Sequence, residues 1–390
     1  MALGLVIIYA IGPMRANVLN SAYGLNYDPN YFFFGQLRSV VISLVVLFLA
    51  FKVIPYRYTR KFAKPIMIIA IVLSVLLWIL AEAGSSLAKC ELGECRWFNL
   101  GIISFQPAEF LKLAIVVYLA DFLARKSEAG EIGKIKEFWL PLGLISILSL
   151  GLVIVAQGDL GTGVAIISII LGMLLASGVP ARQYLIMLAI IIVGSVGAIV
   201  TSAHRMERIY AWIDTVQGAE VTDSTYHIEN AMLAIGTGGF TGVGIGNSVQ
   251  ATGYLPESIN DSVFAIMGET FGFVGLFLIV TIFGILLLRM LKVAEHTPPL
   301  DQRLIIVGVF SWTLAQFAVN IMAMTGLIPV TGITLPLLSY GGTSMILLAD
   351  AVGLGLHISC DTRREGITDD NMSSRRRLRG AHHPSARRHS

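Results

Sequence analysis

Long apolar runs alternate with short polar stretches along almost the whole chain. Most runs approach the ~20 residues a helix needs to cross a hydrocarbon layer about 30 Å thick. None shows the two-residue alternation of a barrel strand. The pattern predicts ten spans, near 2–18, 39–53, 65–81, 107–123, 139–156, 160–177, 184–201, 262–288, 304–324 and 343–358. A helix satisfies its own backbone hydrogen bonds, which lipid cannot do. The predicted fold class is all-α: a polytopic integral membrane protein with a large loop over 202–261 between the seventh and eighth spans. Residues 1–360 read as one transmembrane domain, and 361–390 as a polar, Arg-rich tail expected to be disordered. The first run opens with no basic residue ahead of it and no small-residue cleavage site. It does not read as a signal peptide, and further residues are expected to precede it.

Composition agrees with this reading. The chain is 55% hydrophobic and 14% charged, with mean hydropathy +0.75, whereas a soluble domain is about a quarter charged. No large soluble domain fits between the runs. The net charge of +3 matters less than where the charges fall. One set of loops carries Lys52, Arg57, Arg60, Lys61, Lys64, Arg125, Lys126, Lys134, Lys136, Arg182, Arg289, Lys292 and Arg303, and the tail adds eight more arginines. The opposite loops hold only Arg15, Arg38, Lys89, Arg96, Arg205 and Arg208. The positive-inside rule places the first set and both termini in the cytoplasm and turns the 202–261 loop outward. The basic tail suits anionic lipid headgroups or serves as a topology anchor. Nothing points to nucleic acid. Cys90 and Cys95 flank Glu-Leu-Gly-Glu in an outward loop, where a disulfide can persist.

Four outward segments carry candidate chemistry. In the first, Arg96-Trp is followed by Gln106-Pro-Ala-Glu109-Phe-Leu-Lys112. Glu109 and Lys112 are three apart and share one helix face. Charges at that depth must pair or face a polar cavity. Gln157-Gly-Asp159-Leu-Gly-Thr162 reads as a tight hairpin with Asp159 capping the sixth helix. The long loop runs through Arg205, Arg208, Tyr226-His227 and a glycine-rich stretch over 236–246, then Glu257 and Asp261. It matches neither a P-loop nor a dinucleotide fingerprint, and its arginines suit a phosphate or pyrophosphate. His204 and His227 lack metal-ligand spacing. The fourth segment, from Pro329 to Ser344, holds two prolines and predicts an irregular path against the bundle. Asp261 sits where polar loop meets apolar helix. A carboxylate there is costly and is a functional candidate, or the N-cap of the eighth span.

Together these segments resemble the SEDS family, which includes FtsW, RodA and SpoVE. The matching motifs are Arg96-Trp, Gln106-Pro-Ala-Glu-Phe-Leu-Lys112, Gln157-Gly-Asp-Leu-Gly-Thr162, Gly238-Gly-Phe-Thr-Gly-Val-Gly-Ile-Gly-Asn-Ser248 leading into Leu255-Pro-Glu257, and Leu335-Pro-Leu-Leu-Ser-Tyr-Gly-Gly-Thr-Ser344. They occur in family order over nearly the whole chain, and Gly253-Tyr-Leu-Pro-Glu257 leans toward FtsW, the division member. The resemblance implies a peptidoglycan glycosyltransferase that polymerises lipid II at the outer face of the bacterial cytoplasmic membrane, with Asp261 as general base. It implies substrate-binding roles for Arg96, Gln106, Glu109, Lys112, Arg208, Glu257 and Ser339. It implies no organic cofactor; a divalent cation, Mg²⁺ or Mn²⁺, is an alternative source of positive charge. The implied partners are lipid II, the nascent glycan strand, a class B penicillin-binding protein, other divisome proteins and membrane lipids. A lipid II flippase and a non-catalytic division scaffold are the competing readings. Three stretches depart from the family pattern: Asn260-Asp-Ser-Val-Phe264 stands where Thr-Asp-Phe-Ile-Phe is usual, Tyr226-His227 where Tyr-Gln is usual, and Glu269-Thr-Phe-Gly272 where Glu-Glu-Leu-Gly is usual.

Overall fold

The computed structural model describes residues 1–91, 94–101, 104–218, 222 and 225–380. Thirteen α-helices follow one another among the described residues. They are α1 (Ala2–Tyr23), α2 (Tyr31–Phe48, continued by a π turn over Leu49–Val53), α3 (Tyr56–Lys61), α4 (Ala63–Glu82), α5 (Pro107–Glu128) and α6 (Leu140–Leu150). Then come α7 (Leu160–Ala176), α8 (Ala181–Val200), α9 (Ala203–Gln217), α10 (Tyr226–Thr237), α11 (Val263–Glu295), α12 (Leu300–Met324) and α13 (Gly342–Gly380). Eight of the described helices are long and apolar enough to cross a membrane. The other two expected spans are α5, which carries Glu109, Lys112 and Asp121 in its apolar stretch, and α7, which has 17 residues. The apolar part of α13 ends at Thr362. Residues 381–390 of the basic tail lie outside the described residues.

Two predicted features are corrected. The second span starts earlier than its apolar run, at Tyr31, because the aromatic stretch Tyr31–Phe34 joins the helix. The 202–261 segment is not a plain loop, since α9 and α10 lie within it. A small antiparallel sheet also forms between α4 and α5, with order β1 (Ala88–Glu91), β2 (Glu94–Asn99), β3 (Ser104–Phe105). Cys90 pairs with Cys95 across β1 and β2 and forms a disulfide with it.

The core is centred on α5, whose residues from Leu111 to Ala124 are almost all buried against α4, α7 and α12. Lipid offers no hydrophobic drive between helices, so close packing of small residues must hold them together. At Gly308 of α12, a Cβ would meet Met173 and Val116 at 3.0 Å. A second buried cluster joins α1, α10, α11 and α12, with Phe283 stacked on Phe317 at 4.3 Å. At one end of the bundle, Arg60 pairs with Asp121 and Asp301, and Arg125 with Asp121. This ion-pair cluster ties α3 to α5 and α12.

Candidate active site

Asp261 stands at the end of a turn-rich segment that runs from the short 3-10 turn Gln250–Thr252 to the start of α11. The segment is fixed from two directions. Asn320 of α12 donates from Nδ2 to the carbonyls of both Asp261 and Ile333, each at 2.7 Å. The Tyr340 N–H donates to the Ile259 carbonyl at 2.8 Å. The irregular 325–341 stretch is therefore a wall against which Asp261 is set, and Asn320 pins both sides of the join.

Beyond Asp261, α11 is two pieces and not one span. Gly272 breaks it with φ 63 and ψ −165, backbone that essentially only glycine adopts. The glycine-rich 236–246 stretch crosses this break at backbone contact. The N–H groups of Val243 and Gly244 donate to the carbonyls of Glu269 and Thr270 at 2.9 and 3.0 Å, and the Phe273 N–H donates to Gly239 at 2.9 Å. A Cβ at Gly272 would lie 2.7 Å from the Phe240 carbonyl carbon, and one at Gly242 would lie 2.7 Å from the Gly272 nitrogen. The buried Glu269 carboxylate accepts from Ser248 Oγ and from the N–H groups of Val249 and Gln250. Glycine density, read from the sequence as backbone freedom, is here mostly the need for two backbones to touch.

The Asp261 side chain is 7% exposed. Burial, with Glu257 adding repulsion, pushes its carboxyl up to about 7. Loss of water disfavours the charged form, and a like charge adds to that. The expected helix cap is absent: Ser262 holds the N-cap position of α11, with no side-chain capping bond. Asp261 meets Ser262 instead, whose Oγ lies 3.4 Å from Oδ1. The same Oγ donates to the Pro256 carbonyl at 2.8 Å and lies 2.7 Å from His227 Nε2. Burial, reinforced by Arg208, lowers His227 to about 4. It is neutral at physiological pH.

Arg208 of α9 donates to the Val330 carbonyl at 3.5 Å and is within electrostatic reach of Asp261. Burial lowers its pKa, and Glu94 opposes that; Arg96 adds repulsion, while Asp261 and Asp159 attract. Arg96 on β2 donates to the carbonyls of Gln157 and Gly158 at 3.3 and 3.1 Å and pairs with Glu94. Gly158 has φ 65, and a Cβ there would lie 2.6 Å from the Glu94 carboxyl carbon. Asp159 caps α7 by accepting from the Thr162 N–H at 2.8 Å, as its position predicts, and also accepts from Gln106 Nε2 at 3.0 Å. Arg96, Gln106, Asp159, Arg208 and Asp261 thus form one electrostatic neighbourhood. Glu257, at φ 49, acts on this group by repelling the Asp261 charge and pairs with Arg15 of α1 at 3.1 Å.

The remaining candidates are engaged elsewhere. Glu109 and Lys112 pair with each other at 2.7 Å, fully buried, and Lys112 Nζ lies 4.8 Å from the Trp312 ring centroid. The Ser339 hydroxyl accepts from the Leu335 N–H at 2.7 Å, and its carbonyl accepts from Gln36. Sequence reasoning missed Glu94, Asn320 and the contact between His227 and Ser262. For that contact the only signal was that both positions depart from the family pattern. Among the described residues, no group of three His, Cys, Asp or Glu side chains converges as a metal site.

Residues 1–364 match the family described as Cell cycle protein, FtsW/RodA/SpoVE. The chain is 34% identical over 361 residues to stage V sporulation protein E of Bacillus subtilis, covering 92% of this chain and 93% of that one. It is 31% identical to the probable peptidoglycan glycosyltransferase FtsW of Haemophilus influenzae, covering 92% and 89%. Among solved structures, it resembles a chain from work on the structural coordination of polymerization and crosslinking by a peptidoglycan synthase complex. That match has a TM-score of 0.69 at 25% identity, covering 92% of this chain and 97% of the other. It also resembles crystalline RodA of Thermus thermophilus, with a TM-score of 0.62 at 25% identity, covering 92% and 95%.

Proposed function

Because this chain belongs to the FtsW/RodA/SpoVE family, it is a peptidoglycan glycosyltransferase, and we propose that Asp261 is the general base of its polymerisation step. The acceptor is lipid II, through the 4-hydroxyl of its N-acetylglucosamine. The donor is the growing strand on undecaprenyl pyrophosphate. As the acceptor oxygen bonds to the donor's anomeric carbon, its proton passes to Asp261 and the bond to pyrophosphate breaks. One displacement inverts the α linkage to β. A base of this kind contributes about 10²–10⁴-fold. A base works best with a pKa near the operating pH, and burial has brought an ordinary carboxyl to about 7. The placement carries the proposal: Asp261 is buried where the turn-rich segment meets α11, held through its carbonyl by Asn320, with Ser262 Oγ at its carboxylate.

The departing pyrophosphate needs positive charge aimed where negative charge grows. Arg208, whose positive charge Asp261 and Asp159 favour, supplies it. Glu257 and Gln106 shape the approach. The Glu109–Lys112 pair sets the packing beneath the site rather than the chemistry. The Asp261 end faces outward and the Arg60–Asp121–Asp301 end faces the cytoplasm, where the basic loops gather and both termini lie. The division role and the class B penicillin-binding protein partner follow from the FtsW-like motifs and relatives.

The test is gel analysis of strands made from lipid II by the purified chain with its transpeptidase partner. Asp261→Ala is expected to abolish polymerisation while keeping the wild-type melting temperature and partner co-purification. A variant that polymerises at the wild-type rate overturns the assignment. Transbilayer movement of dye-labelled lipid II by the wild-type chain, without strands, would favour transport.

A further inference from the structure

We propose that Ser262 and His227 form a positioning pair that donates a hydrogen bond to the ionised form of Asp261 and so sets the pH at which the base works. The inference rests on Asp261 being the base. It starts from one hydroxyl with a single proton and three polar neighbours. Pro256 O and Asp261 Oδ1 are acceptors at 2.8 and 3.4 Å, and His227 Nε2 is 2.7 Å away. A carbonyl cannot donate, and with His227 in its Nε2–H tautomer the imidazole does not accept there, so the Ser262 proton goes to Pro256 or to Asp261. His227, neutral in its buried setting, fills the remaining role by donating Nε2–H to Ser262 Oγ. The pairing assigns His227 that tautomer; with the proton on Nδ1 instead, Nε2 would accept from Ser262 and draw the hydroxyl away from Asp261.

The hydroxyl is therefore a two-position donor. When Asp261 is ionised, the Ser262 proton turns to Oδ1, closing a few tenths of an ångström, and the His227 contact polarises it. When Asp261 has taken the substrate proton, Ser262 turns back to Pro256. A hydrogen bond made only to the charged form favours that form. This opposes the burial and the Glu257 charge that push the other way. Arg208 on α9 also favours the ionised form, with Glu94 and Arg96 on β2 and Asp159 at α7 acting on Arg208. Arg15 on α1 neutralises part of Glu257. Asn320 on α12 touches only the Asp261 carbonyl. Ser262 is thus the side-chain donor to the reacting carboxylate. The two members are 35 residues apart in sequence yet in contact.

The test is the pH dependence of lipid II polymerisation by the full chain. Ser262→Ala is expected to move the acid limb upward by about one pH unit, the scale of one lost charge-assisted bond, with the high-pH plateau within about twofold. His227→Leu is expected to move the limb the same way by less. Ser262→Thr and His227→Gln keep a hydroxyl and an N–H donor and should leave it in place. The double variant Ser262→Ala/His227→Leu should match Ser262→Ala alone, because His227 acts through the hydroxyl. A purely structural pair would lower the rate at every pH and leave the limb where it was. An unmoved limb in Ser262→Ala, with Asp261→Ala inactive, overturns the pairing alone. An active Asp261→Ala removes the reading beneath it.

Discussion

The crossing of the glycine-rich stretch over the break in α11 gives a graded test of what glycine does here. Gly236, inside α10, has open space where a Cβ would go. Gly236→Ala should be neutral, or stabilising by up to about 1 kcal/mol through helix propensity. Gly238 has ordinary helical angles, but its Cβ would lie 2.8 Å from the Gly268 carbonyl carbon and 2.9 Å from Glu269 Cα. Backbone cannot swing away like a side chain, so overpacking of about 1–3 kcal/mol is expected. Gly272 adds a conformational cost. Its φ of 63 with ψ −165 costs another residue about 1–3 kcal/mol, on top of contact with Phe240 at 2.7 Å. Gly272→Ala should therefore lose roughly 2–6 kcal/mol. Its damage also reaches the helical arm from Val263 to Phe271 that carries Asp261 at its start. The assay is thermal unfolding of the detergent-purified chain by intrinsic fluorescence, with lipid II polymerisation measured alongside. The expected order of stability is Gly236→Ala at or above wild type, then Gly238→Ala, then Gly272→Ala, the last inactive even where folded. If Gly272→Ala melts with Gly236→Ala, backbone contact at this crossing is not what the glycines provide.

Other outcomes follow from the same geometry. Polymerisation should fall as pH drops through about 7, because the base is lost when Asp261 gains its proton; an ordinary aspartate would hold activity down to about pH 4. Initial rates across this range check it, and a limb near 4 would contradict the burial argument. Lys112→Met should destabilise by about 3–5 kcal/mol because it strands the Glu109 charge in the core. Pairing it with Glu109→Gln should restore most of that loss in the same unfolding assay. Without reductant, a maleimide should label only Cys360, which is exposed; after reduction, Cys90 and Cys95 should label too. Full labelling of all three before reduction would show that the bridge does not form.

Legibility followed the range of the forces involved. Asp159 was readable as a cap because its partner, Thr162, is three residues away. Asp261 looked equally like a cap, yet Ser262 takes that place and Asp261 answers to Arg208, Glu257 and Ser262. Nothing local in the sequence distinguishes the two aspartates. The loop over 202–261 hid α9 and α10 because both are short and only weakly apolar, and α10 is punctuated by glycine. The sheet between α4 and α5 was missed because each strand is only a few residues long.

The sequence alone determined which segments enter the membrane, since apolar length against bilayer thickness is a property of each run taken singly. It also set the family, because motif order needs no coordinates, and it singled out Asp261 as a candidate. Only the tertiary structure decided what surrounds that acid. Asn320, His227, Arg208 and the 325–341 wall arrive from distant parts of the chain. A carboxyl's proton affinity depends on the groups and the water around it in space, not on its neighbours along the backbone.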